Sequence, residues 1–140
     1  KLFKSAEENM IKTLAICRGN QLLNVYKEGT LYQDLHEAGF TDIDHDKPFD
    51  HARSHIHDIQ IDKDSKLYSL VGEEKISVNS IHHQGINLLG NDLKITAKSP
   101  DGVVEGIETT NDWEAVGIQW HPENMVEDKN SKLIFEWLCS

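Results

Sequence analysis

The stretch TLAICRGNQLLN, Thr13 to Asn24, changes character in its middle. Leu14, Ala15 and Ile16 form a short apolar run that suits a buried strand. Leu22, Leu23 and Val25 follow with spacing that suits a helix. Cys17, Arg18 and Gly19 lie at the joint. A strand that turns sharply into a helix displays a nucleophile at the turn, and the tight turn demands small neighbours. Gly19 meets that demand, and Ala15 meets it less fully. A thiol at a helix N-terminus faces unpaired backbone N–H groups and the positive end of the helix dipole. Both favour the thiolate, and the same N–H groups can hold a developing oxyanion. A small residue, a cysteine and a glycine at this spacing also arise by chance, and the cysteine then only fills space.

The rest of the chain alternates in the same way. Residues 2–12 read as a helix, 13–16 as a strand and 18–27 as a helix that Gly29 stops. Residues 42–55 are polar, contain Pro48 and read as loop. His57, Ile59 and Ile61 share one face of a strand over 55–61. Asp64 or Ser65 caps a short helix through Leu70. Strands are expected at 75–78, 93–98, 103–108 and 115–120, with Pro100-Asp101-Gly102 as a turn. Residues 129–138 make a last amphipathic helix with Leu133, Ile134, Trp137 and Leu138 inward. Interspersed helices and strands predict one α/β domain over 1–140 with a mixed sheet.

Composition narrows the function classes. Fourteen basic against 24 acidic residues give a net charge of −10, which disfavours nucleic acid and anionic membrane surfaces as partners. No apolar run is long enough to span a bilayer, and KLFKSAEENMIK lacks a signal peptide's apolar core. A cytoplasmic protein is the default expectation. Cys17 and Cys139 read as reduced thiols.

Two further segments carry chemistry. Gln119-Trp120-His121-Pro122-Glu123 follows an apolar strand directly, so His121 stands at a strand end. Residues two apart in extended backbone project to one side, so Glu123 can orient His121, and His121 can take a proton from Cys17. Pro and Glu equally suit the first turn of a helix. Val78-Asn79-Ser80-Ile81-His82-His83-Gln84 reads as a loop built for polar contacts. His45, His51, His55 and His57 crowd one region with Asp42, Asp44, Asp46, Asp50 and Asp58. Their spacing matches no standard zinc pattern, which predicts a solvated loop and no metal.

Together these segments resemble the class I glutamine amidotransferase-like superfamily, and within it the γ-glutamyl hydrolase branch of the γ-glutamyl-γ-aminobutyrate hydrolase type. The matching pieces are Ile16-Cys17-Arg18-Gly19, Gln21-Leu22-Leu23-Asn24, Gly29-Thr30-Leu31-Tyr32-Gln33-Asp34, Val78-Asn79-Ser80 with His82-His83-Gln84, Asp101-Gly102 with Val104-Glu105, and Gln119 to Glu123. The resemblance implies a flavodoxin-like three-layer α/β/α fold with a mixed, mostly parallel sheet. It implies a Cys17–His121–Glu123 triad that hydrolyses γ-glutamyl amides through a thioester, with the Arg18 N–H as one oxyanion donor. It implies that Gln21, Asn79, Ser80, His82 and His83 line the γ-glutamyl pocket, and that no cofactor takes part.

Two departures accompany the resemblance. Ala15 stands where the family usually has glycine. The family's N-terminal region, which supplies the first strands and a glycine-rich loop with a second oxyanion donor, has no counterpart before Lys1. An N-terminally truncated chain, weakly active and prone to associate with itself or with a missing N-terminal chain, is therefore expected. A non-catalytic remnant, one half of a split enzyme and an amidotransferase's glutaminase subunit are the competing expectations.

Overall fold

The computed structural model describes residues Lys1–Ser140. The chain runs through α1 (Leu2–Glu8), β1 (Thr13–Ile16), α2 (Arg18–Tyr26), β2 (Leu31–Tyr32), a 3-10 turn (Phe49–His51), β3 (His57–Ile61), α3 (Lys66–Val71), β4 (Lys75–Val78), β5 (Gly85–Ile86), β6 (Leu93–Lys98), β7 (Val104–Thr109), β8 (Ala115–Ile118), a second 3-10 turn (Pro122–Asn124) and α4 (Lys129–Cys139). No helix is long and apolar enough to cross a membrane.

Six strands form one sheet in the order β1-β8-β7-β6-β3-β4, and β2 pairs with β5 apart from it. The sheet is mixed, as expected, but its parallel share is smaller than the resemblance implies. Only β1 and β8 run parallel, and the other four pairings are antiparallel. The reason lies partly in the connections. β6, β7 and β8 follow one another through short links, and short links impose antiparallel neighbours.

Side chains alternate between the two faces of the sheet and build two cores. Val116, Ile118 and Trp120 join Leu67 and Val71 of α3 and Ile134 and Trp137 of α4 on one face. Ala15, Ile107, Trp113 and Ala115 join Leu23 of α2 on the other, with Phe3 and Ala6 of α1 against them. Helices thus cover both faces, giving the three layers. Strand β8 lies between two neighbours and under helices on both sides, so all four of its residues are buried. That is why AVGI is an unbroken apolar run rather than an alternating one.

Local chemistry sets the ends. Ser65 caps α3 by accepting from the Tyr68 amide at 2.9 Å, and Asp128 caps α4 by accepting from Ser131 at 2.9 Å. The helix expected over 2–12 stops at Glu8, and Met10 turns to φ 52°. Gly29 does not supply the left-handed cap of α2, since Glu28 takes the positive φ of 69°. Gly29 instead lies against Asn24, where a Cβ would come within 2.3 Å of its amide.

Candidate active site

Cys17 sits between β1 and α2 at φ 48°, ψ −99°. A non-glycine residue held at positive φ stores strain of about 1–3 kcal/mol. Its surroundings fix it there: the Cys17 amide donates to the Ile118 carbonyl at 2.8 Å, and its carbonyl accepts from Gln21 at 3.2 Å. The methyl of Ala15 fits without strain beside residue 19; even a Cβ there would lie 3.5 Å from that methyl, an ordinary contact. Both cysteines are free thiols.

The parallel pairing of β1 with β8 brings His121 to the same place. Ile16 and Ile118 are register partners, so both strands end at one edge of the sheet. Cys17 is one residue beyond β1, and His121 three beyond β8. Pro122 opens the 3-10 turn, which returns Glu123 to His121; Glu123 Oε1 lies 2.5 Å from His121 Nδ1. The helical-start reading of Pro-Glu and the orienting reading are thus both realised. Contact with Cys17 is the largest influence on His121 and raises its pKa. Burial opposes it, Glu123 adds to it, and the imidazole's pKa rises to about 9. The ring therefore carries both protons at neutral pH.

Buried amides support the pair. Gln119 Nε2 donates to Cys17 Sγ at 3.4 Å. Gln119 Oε1 in turn accepts from Gln21 Nε2 at 3.2 Å and from Asn20 Nδ2 at 3.5 Å. Asn79 accepts from the His121 amide at 2.8 Å and donates to the His121 carbonyl at 2.9 Å and to Ala52 at 2.5 Å. The Arg18 amide, first in α2, has no protein acceptor.

The predicted pocket residues divide. A cleft of about 180 Å³ beside Cys17 is lined by Arg18, Gln21, His82 and His83, joined by Ile81 and Gln84. Asn79 and Ser80 do not line it. Both are fully buried; Asn79 clamps the His121 backbone, and Ser80 Oγ lies 3.3 Å from His45 Nδ1. Their expected place in the substrate pocket is corrected accordingly. Sequence reasoning passed over Gln119 as an extension of the strand. The signal was a lone amide closing an apolar run.

The histidine-rich segment is also corrected. His51 and His55 are exposed, as a solvated loop requires, but His45 and His57 are buried. They meet His82 around Glu105, which is wholly buried. Burial pushes the Glu105 carboxyl up, but the imidazoles of His45, His82 and His57 pull it down to about 2.

A sheet with helices on both faces, a strained cysteine between strand and helix, and a histidine just past the end of the adjacent parallel strand mark the class I glutamine amidotransferase-like fold. Solved structures agree at the level of fold. A glutamine amidotransferase from Thermotoga maritima superposes with a TM-score of 0.63 at 16% identity, over 97% of this chain and 54% of its own. The chain belongs to the Peptidase C26 family, whose model matches residues 1–123. It is 35% identical to the γ-glutamyl-γ-aminobutyrate hydrolase PuuD of Escherichia coli K12, over 96% of this chain and 55% of PuuD. It is 44% identical to the protein NtpR of Enterococcus hirae, over 78% of this chain and 46% of NtpR. The chain thus spans about half the length of these relatives.

Proposed function

We propose that this protein hydrolyses small γ-glutamyl amides through a thioester on Cys17. The observation that carries the reading is the placement of Cys17 and His121 just past the ends of the parallel strands β1 and β8, with Glu123 holding Nδ1 of the imidazole. The likeness to a γ-glutamyl-γ-aminobutyrate hydrolase supports the substrate class.

The chemistry follows from the positions. Cys17 Sγ, as thiolate, attacks the γ-carbonyl carbon, and the C=O electron pair moves onto oxygen. The Arg18 N–H donates to that oxyanion. His121 passes its Nε2 proton to the departing nitrogen, the C–N bond breaks, and an acyl thioester remains. A water then attacks the thioester while His121 takes its proton. The C–S bond breaks, glutamate leaves and the thiolate returns. Glu123 accepts from His121 Nδ1–H throughout and so keeps Nε2 toward the sulfur. Gln21 spends its amide nitrogen on Gln84 and Gln119, which leaves its Oε1 to accept from the substrate. His82 and His83 complete the γ-glutamyl subsite.

Release of p-nitroaniline from γ-glutamyl-p-nitroanilide tests the reading. Turnover by the wild type, with a γ-glutamyl adduct on the Cys17 peptide in mass spectra, is expected. Cys17→Ala abolishes both. Turnover that survives Cys17→Ala overturns the proposal.

A further inference from the structure

We propose that His45, His57 and Glu105 form a binding site for a divalent transition metal of the zinc class, distinct from the Cys17–His121 pair. One ligand atom from each of the three lies within 4.8 Å of the other two, and all three residues are buried. Around Glu105 Oε1 stand His45 Nδ1 at 3.4 Å, His57 Nε2 at 3.6 Å and His82 Nε2 at 3.6 Å.

The outer nitrogens explain why the inner ones matter. His57 Nδ1 lies 2.9 Å from the Asp58 carbonyl, and His82 Nδ1 lies 2.8 Å from the Gln84 carbonyl. A carbonyl only accepts, so both Nδ1 atoms carry hydrogen. In a neutral ring Nε2 is then a lone pair, here turned toward a carboxylate oxygen. His45 is arranged the other way round. Its Nε2 lies 2.8 Å from Asp101 Oδ2, and its Nδ1 faces Glu105. The Ser80 hydroxyl at 3.3 Å from that Nδ1 is free to rotate. Each imidazole is thus held from behind by an oxygen, the arrangement that orients histidines on a metal.

Protons alone do not satisfy the cluster. Neither Glu105 oxygen has a hydrogen-bond partner, and neither does His57 Nε2 or His82 Nε2. A separation of 3.6 Å is too long for a hydrogen bond. It does suit two atoms bound to one ion: ligands about 2.0–2.1 Å from tetrahedral zinc stand about 3.3 Å apart. Charge agrees as well. A dication with neutral imidazoles balances the carboxylates of Glu105 and Asp101, so the buried group carries no net charge when the ion is bound. His45, His57 and Glu105 supply three ligands, and a water completes four-coordination. A pocket lined by His45, His82 and Asp44 gives access from solvent. The bound ion would tie the 42–55 segment, β3 and β7 together behind the cleft.

Titration of chelator-stripped Cys17→Ser protein with cobalt(II), then zinc, tests this, because the thiol cannot then supply a ligand. The expected result is one equivalent of cobalt with the visible bands of a four- or five-coordinate site, displaced by one equivalent of zinc. His51→Ala and His55→Ala keep that stoichiometry. His57→Gln and Glu105→Gln weaken binding about 100-fold, with circular dichroism showing that they fold. Should either fail to fold, a zinc-dependent rise in Tm of the Cys17→Ser protein that His51→Ala and His55→Ala preserve stands in for them. No bound equivalent and an unmoved Tm overturn the proposal. So does binding that disappears with His51→Ala or His55→Ala.

Discussion

Gln119 is the residue whose placement says most about the candidate site. It is fully buried, spends its carbonyl on two amides and points its nitrogen at the Cys17 sulfur. A neutral donor fixed against a sulfur stabilises that sulfur more as charge develops on it. Hydrogen bonds to charged groups contribute about 1.5–3 kcal/mol, which corresponds to about 10–100-fold in rate. Gln119→Leu is therefore expected to lower kcat for γ-glutamyl-p-nitroanilide by about that factor, with KM moving little, since Gln119 does not line the cleft. Gln119→Glu replaces a donor with an acceptor and does not rescue. A loss confined to KM, or full activity in Gln119→Leu, contradicts this role. Cys17, His121 and Glu123 were legible in the sequence because each belongs to a short local motif. Gln119 was not, because its partners Asn20 and Gln21 come from the other end of the chain.

At the scale of elements, β8 and α2 approach more closely than a methyl group permits. A Cβ at Gly117 would lie 2.3 Å from Asn20 Oδ1 and 2.9 Å from Ile107 Cγ1. The first turn of α2 carries Asn20 and also the joint that holds Cys17. Gly117→Ala must therefore displace the buried Asn20 side chain, at a cost of about 1–3 kcal/mol from overpacking. A lower urea midpoint, together with reduced turnover, is the expected outcome, and an unchanged midpoint refutes it. The same helix shows where reading by hydropathy stops. Leu22 and Val25 mark α2 in the sequence, yet both are exposed. Its buried face is Asn20, Gln21, Leu23 and Asn24. Gln21 and Asn24 are buried with partners for their amide nitrogens, whereas Asn20 Oδ1 has none. Asn24 Nδ2, for example, donates to the carbonyls of Thr30 at 3.1 Å and Leu88 at 3.0 Å. Strands such as 75–78 and 93–98 were legible because their own side chains decide their faces. The two-residue strands β2 and β5 were not, since too short a run shows no period.

Across the whole molecule, the decisive arrangement is the one parallel pair, because it alone makes the ends of two distant segments coincide. Strand order follows from which faces and edges pair in three dimensions, and one sequence carries it only through the motifs at strand ends. The coupling it creates has a consequence for global stability. The pKa of His121 rises from 6.5 to about 9 on folding. Below pH 6.5 the folded and unfolded chains both hold the proton, and the stabilisation from its partners is fully present. Between 6.5 and about 9 the unfolded chain gives the proton up while the folded one keeps it, so stability falls as pH rises. Above about 9 the contribution is gone. Raising the pH also adds self-repulsion to a chain of net charge −10, but His121→Gln shares that background, so a difference between the two proteins removes it. The urea midpoint of the wild type should therefore exceed that of His121→Gln most at about pH 6, and the gap should close by about pH 9.5. A gap that stays constant or widens over that range means that His121 is not held by Cys17 and Glu123 in the folded protein.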